Sequence, residues 1–307
     1  MKIVTSGFRY LDIDAYGGIV AKAELLNLQG TDAIAVSTAP LNESIPPSVR
    51  AWDAPLTTNY SPDKADTFTI VDISEPEFFD KFIDLDRVDE VIDHHTGFEE
   101  LWQQRIGDSS TIEFIGAACT QVYEQWADES LLDKMSETSA RLLICGILDN
   151  TLNFGAQVTT KRDVTAYEKL MQIANLPEDW PKQYFQECEQ NILLDMPKSI
   201  QNDKKDVPFD TFDGDKKIAF GQLAVWSAPE ILATQATTIQ ETLAGELPDW
   251  FMNLISIKDG KSYFVTDRPE IQSWLQNLLS IEFDGSVAKA DRLWLRKEII
   301  KHEGPND

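Results

Sequence analysis

The sequence predicts an α/β protein: an N-terminal domain built on a doubly wound, mainly parallel sheet, followed by a second, smaller α+β domain. Three observations predict it. Short β-branched runs alternate with helix-like segments through the first third, a pattern that right-handed crossovers turn into a parallel sheet. Pro177, Pro181 and Pro197 then interrupt the pattern between Leu176 and about Lys198, which marks a domain boundary. Beyond it the chain starts again with a strand-like run, and Asp259-Gly260 between two apolar segments signals a hairpin. The expected domains are residues 1–188 and 196–307.

The elements follow in order. Lys2–Ser6 reads as a strand and Asp14–Gln29 as a helix whose Ile19, Ala23, Leu26 and Leu28 share a face, with Gly30 as its cap. Asp32–Ser37 is a second strand, and Pro40–Pro62, with Pro46, Pro47 and Pro55, a long loop. Thr67–Asp72 is a strand, Pro76–Leu85 a short helix and Val88–Asp93 another strand. Beyond Gly97 helices dominate. Ser110–Ala127 carries Ile112, Ile115, Ala118, Val122 and Trp126 near helical spacing, and Thr159–Asn175 opens on hydroxyls suited to capping. In the second domain Lys217–Val225 is a strand, Ala228–Ala244 a helix, Asn253–Ile257 and Ser262–Thr266 the hairpin, and Pro269–Leu279 a helix with proline in its first turn.

Composition narrows the function. The 307 residues are 42% hydrophobic, enough for a sizeable core, and carry a formal net charge of −25. Such a surface opposes the counterion release that binding long nucleic acid requires. It does not oppose a small anion held by metal ions, which reverse the local charge of an acidic pocket. There is neither a leader-like start nor an apolar run of membrane-spanning length, so a cytoplasmic protein with no membrane partner is expected. Cys119, Cys145 and Cys188 fit no disulfide or zinc pattern and are expected to be core thiols. The sequence does not specify an oligomeric state.

The chemistry gathers at predicted strand ends. Asp93-His94-His95 closes a strand and holds two of the three histidines in the chain. Asp12 and Asp14 follow the first strand, Asp72 ends another, and Asp149 ends the apolar run Leu142–Leu148. Strand carboxyl ends line one edge of a parallel sheet, where open α/β folds bind ligands. Mixed carboxylate and imidazole donors there suit ions such as Mn²⁺ or Co²⁺, and Asp72 is the candidate to bridge two of them. Two such ions would activate water and clamp phosphoryl oxygens.

In order and separation, Asp12-Ile13-Asp14, Val71-Asp72, Asp93-His94-His95 and Gly146-Ile147-Leu148-Asp149 resemble the four motifs of the DHH phosphoesterase superfamily. That superfamily includes manganese-dependent family II inorganic pyrophosphatases, exopolyphosphatases and nucleases acting on short oligonucleotides. The resemblance implies that Asp12, Asp14, Asp72, His94 and Asp149 are metal ligands, that Asp72 bridges, and that His95 contacts phosphate. Mn²⁺ is the implied cofactor, with Co²⁺ or Mg²⁺ as alternatives. Asp203-Lys204-Lys205, Lys216-Lys217-Ile218, Gly221-Gln222 and Arg296-Lys297-Glu298 resemble the C-terminal DHHA2-type domain of the pyrophosphatase and exopolyphosphatase branch. There Lys205, Arg296 and Lys297 would bind phosphate.

The departures from the family pattern are specific. Phe8 stands where family II pyrophosphatases have a histidine on the first metal, which implies two metal sites with one weakened. Leu295 replaces a serine, and Asn150 interrupts the Asp-Thr pair, with Thr151 one place later. The reading that follows is a metal-dependent hydrolase of pyrophosphate or short polyphosphate, a small phosphorylated substrate. Two alternatives stand beside it: a phosphodiesterase for short oligonucleotides or dinucleotides, and a non-catalytic phosphate- or nucleotide-binding regulator.

Overall fold

The β-branched runs of the first third become parallel strands: β1 (Lys2–Thr5), β2 (Ala33–Ala35), β3 (Thr67–Val71) and β4 (Val88–Asp93), joined by β5 (Ser110–Ile112). Their spatial order is β2-β1-β3-β4-β5, and every neighbouring pair is parallel. Ile3, Val4, Phe68, Ile70, Val91 and Ile92 are wholly buried, as expected when helices cover both faces of a parallel sheet. The chain leaves β1 in one direction along the sheet and returns to its other side at β3. The switch point of the fold therefore lies between β1 and β3, the crevice where ligands bind in such sheets.

This is a computed structural model that describes residues 1–209 and 216–303. By internal contacts the chain divides into two units, Met1–Pro181 and Lys182–Asp307. In the first unit the helices are α1 (Ile13–Leu28), α2 (Pro47–Arg50), α3 (Glu99–Ile106), α4 (Ala118–Asp128), α5 (Glu137–Thr151) and α6 (Lys161–Ala174). Helix α1 is buried along most of its length. Leu28, expected on its core face, is nevertheless 44% exposed in the last turn, just before Gly30 turns the chain with φ 86°.

Glycine permits the α1–α5 crossing. A Cβ on Gly17 would stand 2.8 Å from the Leu142 carbonyl oxygen and 2.9 Å from its carbon, and backbone atoms cannot step aside as a side chain can. Gly17→Ala is expected to lower stability by about 1–3 kcal/mol. Gly245→Ala, at a helical position with nothing within 4 Å, is expected to be neutral or slightly stabilising. Thermal unfolding of the two variants side by side checks the contrast.

Four expected elements differ. Pro76–Leu85 is not a helix but two 3₁₀ turns, Pro76–Phe78 and Leu85–Arg87, around extended chain. Phe79 there bridges to Gly7 and stacks on Trp102 at 5.8 Å, so tertiary contacts outweigh local propensity. Ser110–Ala127 splits, because Ser110–Ile112 pairs with β4 as an edge strand before α4 begins. Leu142–Leu148 belongs to α5, so Asp149 lies in a helical last turn and not at a strand end. The Pro40–Pro62 loop contains α2, started by Pro47 in its first turn.

Helix α7 (Trp180–Leu194) begins at the end of the first unit and runs into the second, which also holds α8 (Met196–Asp203), α9 (Ala228–Glu246), α10 (Pro269–Leu279) and α11 (Arg296–Glu303). Among the described residues the sheet of the second unit has six strands, β6 (Lys205–Pro208), β7 (Lys217–Val225), β8 (Trp250–Ser256), β9 (Lys261–Val265), β10 (Phe283–Asp284) and β11 (Val287–Lys289). They lie in the order β10-β11-β9-β8-β7-β6. Among the described residues β7 and β8 pair in parallel and the other neighbours antiparallel, so the sheet is mixed. Helix α10 matches its expected bounds, and Gly260, with φ 65°, turns the expected hairpin. The proline-interrupted stretch is more helical than expected, since Pro181 and Pro197 occupy first turns of α7 and α8, where a missing N–H costs nothing.

Candidate metal centre

Asp12, Asp14, Asp72 and Asp93 converge at the carboxyl ends of β1, β3 and β4. Asp12 caps α1 by accepting the Ala15 N–H at 2.9 Å. Two residues on, Asp14 is buried in the first turn and is held from the side by α4. Its Oδ2 accepts the Ala118 N–H and its Oδ1 the Cys119 N–H, both at 2.8 Å. These are free N–H groups at a helix start, which favour an anion.

Asp72 follows β3 with φ 63°, a left-handed conformation that aspartate tolerates better than most residues. Its N–H still pairs with the Ile92 carbonyl at 2.8 Å, so the reversal redirects the side chain without releasing the strand. Backbone outliers of this kind cluster at functional sites. Burial, then the charges of Asp12 and Asp14, push the Asp72 carboxyl well above the usual carboxylate range. Burial also raises Asp12, opposed by the Ala15 N–H and reinforced by Asp14.

The histidines are fixed by their neighbours. Asp93, with no exposed surface, accepts the N–H groups of His94 at 2.8 Å and His95 at 3.1 Å, and meets His95 Nδ1 at 2.9 Å. It thus shapes the turn and orients the second ring. Burial alone would raise Asp93 and lower His95, but their mutual hydrogen bond and charge outweigh it, with Asp72 adding to the effect on His95. Asp93 ends below its ordinary value and His95 above it. The His95 side chain remains 60% exposed, open to a ligand.

His94 Nδ1 lies 3.1 Å from the Ile115 carbonyl oxygen. A carbonyl only accepts, so in the neutral ring Nδ1 carries the proton and Nε2 presents a lone pair. That lone pair lies 3.4 Å from Asp72 Oδ1 and 3.9 Å from Asp14 Oδ2. Asp72 Oδ1 is buried and has no hydrogen-bond partner among the described residues. Buried acceptors facing one another with no donor between them are costly, and a divalent cation relieves that cost. The set of carboxylate oxygens and imidazole nitrogens fits Mn²⁺ or a similar ion, and the carbonyl behind His94 is the support that metal-binding imidazoles commonly have.

Not every expected ligand joins the tightest group. Among the described residues, Asp72, His94 and His95 each place a ligand atom within 4.8 Å of the others. Asp12 and Asp14 adjoin this group through the interactions above. Asp149 lies outside it, and from the end of α5 it is the side chain of Asn150 that donates to Asp14 Oδ2. Phe8, 44% exposed, offers no ligand atom. The three cysteines are buried, and burial beside Asp14 holds the Cys119 thiol well above its ordinary value, so it is inert.

The second unit assembles part of the expected cationic set. Arg296 opens α11 largely buried, ion-paired with Asp203, its guanidinium 5.1 Å over the Phe220 ring. Its backbone N–H donates to Gln222 Oε1 at 2.6 Å, and its buried Nε has no partner. Lys205 and Lys297 are exposed, whereas Lys204 is tied to Asp206 and Glu246. Asp203 and Gln222 stood in the quoted motifs, but their role in positioning Arg296 was not read from the sequence because it depends on cross-strand and helix contacts.

No protein-family model matches the chain. A protein of Lactobacillus delbrueckii subsp. bulgaricus, described as a probable manganese-dependent inorganic pyrophosphatase, is 26% identical over 236 residues, 74% of this chain and 71% of the relative. One of Bacillus licheniformis with the same description is 26% identical over 187 residues, 58% of this chain and 57% of the relative, so that match spans little more than half of the relative's length. Among solved structures, a Methanococcus jannaschii protein described as a candidate family II inorganic pyrophosphatase shares the fold with a TM-score of 0.65. The two are 18% identical, and the match covers 99% of each chain. An exopolyphosphatase-related protein of Bacteroides fragilis follows at 0.51, with 12% identity over 98% of this chain and 89% of the other. No helix among the described residues is long and apolar enough to cross a membrane. The motif residues thus converge in one parallel-sheet crevice, and the chain is similar to relatives described as probable manganese-dependent inorganic pyrophosphatases.

Proposed function

We propose that this protein is a manganese-dependent phosphohydrolase that cleaves phosphoric anhydrides, pyrophosphate or short polyphosphate, with water as the nucleophile. The observation that carries the reading is the orphaned Asp72 Oδ1 facing the His94 Nε2 lone pair at 3.4 Å in a buried acidic crevice. The descriptions of the sequence relatives support the substrate class and the metal. Asp12, Asp14, Asp72 and His94 would hold the metal, with Asp72 bridging two sites and Asp149 the further ligand that the resemblance implies. Phe8 leaves one site a ligand short. A bound divalent ion supplies Lewis-acid polarisation of the phosphoryl group and brings the pKa of a bound water towards neutrality.

The chain's own groups bind and orient. His95, exposed and held on Asp93, offers its outer nitrogen as a donor to a phosphoryl oxygen. Arg296, Lys297 and Lys205 would supply the charge that electron-rich phosphate requires, as the resemblance implies.

The test is phosphate or nucleotide release by metal-stripped protein reloaded with Mn²⁺, Co²⁺ or Mg²⁺. The substrates are pyrophosphate, tripolyphosphate, longer polyphosphate and a short oligonucleotide. Anhydride cleavage greatest with Mn²⁺ is expected. Cleavage of the oligonucleotide alone would move the protein to the phosphodiesterase reading, and tight Mn²⁺ binding without any hydrolysis would make it a binding protein.

A further inference from the structure

The last turn of α5 is tied to the metal centre by a side chain with no carboxylate. Asn150 donates its amide N–H to Asp14 Oδ2, the oxygen 3.9 Å from His94 Nε2. Gly146 lies one turn earlier, near the same stripe of the helix. A Cβ there would stand 2.9 Å from Asp14 Oδ1 and 2.6 Å from Cys119 Sγ, so α5 rests on Asp14 through a residue without a side chain. With the Ala118 and Cys119 N–H groups, the Asn150 amide surrounds the Asp14 carboxylate with three donors.

The end of α5 is held in place. The Thr151 hydroxyl donates to the Ile147 carbonyl at 2.6 Å and accepts the Phe154 N–H at 3.1 Å. Leu152, Asn153 and Phe154 then take φ of 49°, 54° and 65° in succession. A left-handed run without glycine persists only where its surroundings over-determine it.

An amide and a carboxylate have nearly the same shape but differ by one charge, and only the amide can donate. The Asn150 nitrogen does for Asp14 part of what a cation would do. A half-turn about the terminal torsion brings the amide oxygen to the same place. We propose that Asn150 is a metal-facing residue of this centre. Its nitrogen holds Asp14 in the absence of metal, its oxygen turns to the ion on loading, and its neutrality sets metal affinity below that of a carboxylate at the same point. This inference rests on the reading of the crevice as a divalent-metal site.

The experiment is Mn²⁺ binding to metal-stripped protein, followed by loss of the free-ion EPR signal, together with thermal unfolding with and without Mn²⁺. Asn150→Asp is expected to tighten Mn²⁺ binding about 10–100-fold, the range in which residues supporting a metal centre act. It also places two carboxylates face to face, so the metal-free variant melts below the wild type and gains more from Mn²⁺. Asn150→Ala, which adds no repulsion, is expected to weaken Mn²⁺ binding about tenfold. Unchanged affinity in a folded Asn150→Asp variant overturns the proposal. Asp72→Ala separates the two readings. If it loses Mn²⁺ while Asn150→Asp changes nothing, only the role of Asn150 fails; if it keeps tight Mn²⁺ binding, the metal centre itself is refuted.

Discussion

Asp72→Asn is expected to reduce Mn²⁺-dependent phosphate release by at least about 10³-fold, as loss of charge from the donor that organises an electrostatic centre should. Asparagine nearly matches aspartate in shape and tolerates the left-handed φ of 63° at this position, so the strand end should survive and the loss should report chemistry. The same substitution should raise the melting temperature of the metal-free protein. Burial, Asp12 and Asp14 hold the folded pKa of Asp72 above its unfolded value. A carboxyl shifted upwards destabilises the fold once pH exceeds the unfolded value of about 3.9, and increasingly so until the folded value is passed. The advantage of Asp72→Asn should therefore vanish near pH 4 and grow towards neutrality. Unfolding in chelator at several pH values measures it. An Asp72→Asn protein that hydrolyses normally would end the phosphohydrolase mechanism proposed here.

Lys22→Met is expected to destabilise the protein by about 3 kcal/mol, the cost of stranding one partner of a buried ion pair. Lys22 lies on α1 with its side chain 7% exposed, and its ammonium reaches Glu90 on β4 and Gln125 on α4, each at 2.7 Å. Glu90 also accepts from Thr69 at 3.1 Å and from Gln125 at 3.1 Å. Methionine fills the volume of the stem but leaves the Glu90 carboxylate without a counter-charge. The double variant Lys22→Met/Glu90→Gln should recover more than half of the loss, because the stranded charge is gone. Equal stability of the single and double variants in urea unfolding would show that packing, not charge, makes Lys22 important.

The acidic and imidazole positions at the strand ends were legible because a parallel sheet gathers its carboxyl ends wherever the strands fall in the chain. Val88–Asp93 needed only its β-branched run, and the two histidines behind it could have few other settings. Asp149 and Asn150 were harder. The apolar run before them is continuous because α5 packs against both α1 and α6, and a helix buried on several sides loses the periodicity that separates helix from strand. Which residue of its last turn faces Asp14 depends on rotation about the helix axis, set by Gly17 against Leu142 and Gly146 against Asp14.

The sequence by itself determined the parallel α/β core, the α+β character of the second unit and the acidic, imidazole-bearing strand ends, because these follow from local periodicity and from residue types with few alternative uses. Tertiary structure alone decided the left-handed Asp72, the His94 tautomer set by Ile115, the Asp203 partner of Arg296 and the contact of Asn150 with Asp14. Each depends on groups far apart in the chain meeting within a hydrogen-bond length, where an ångström decides whether two groups interact.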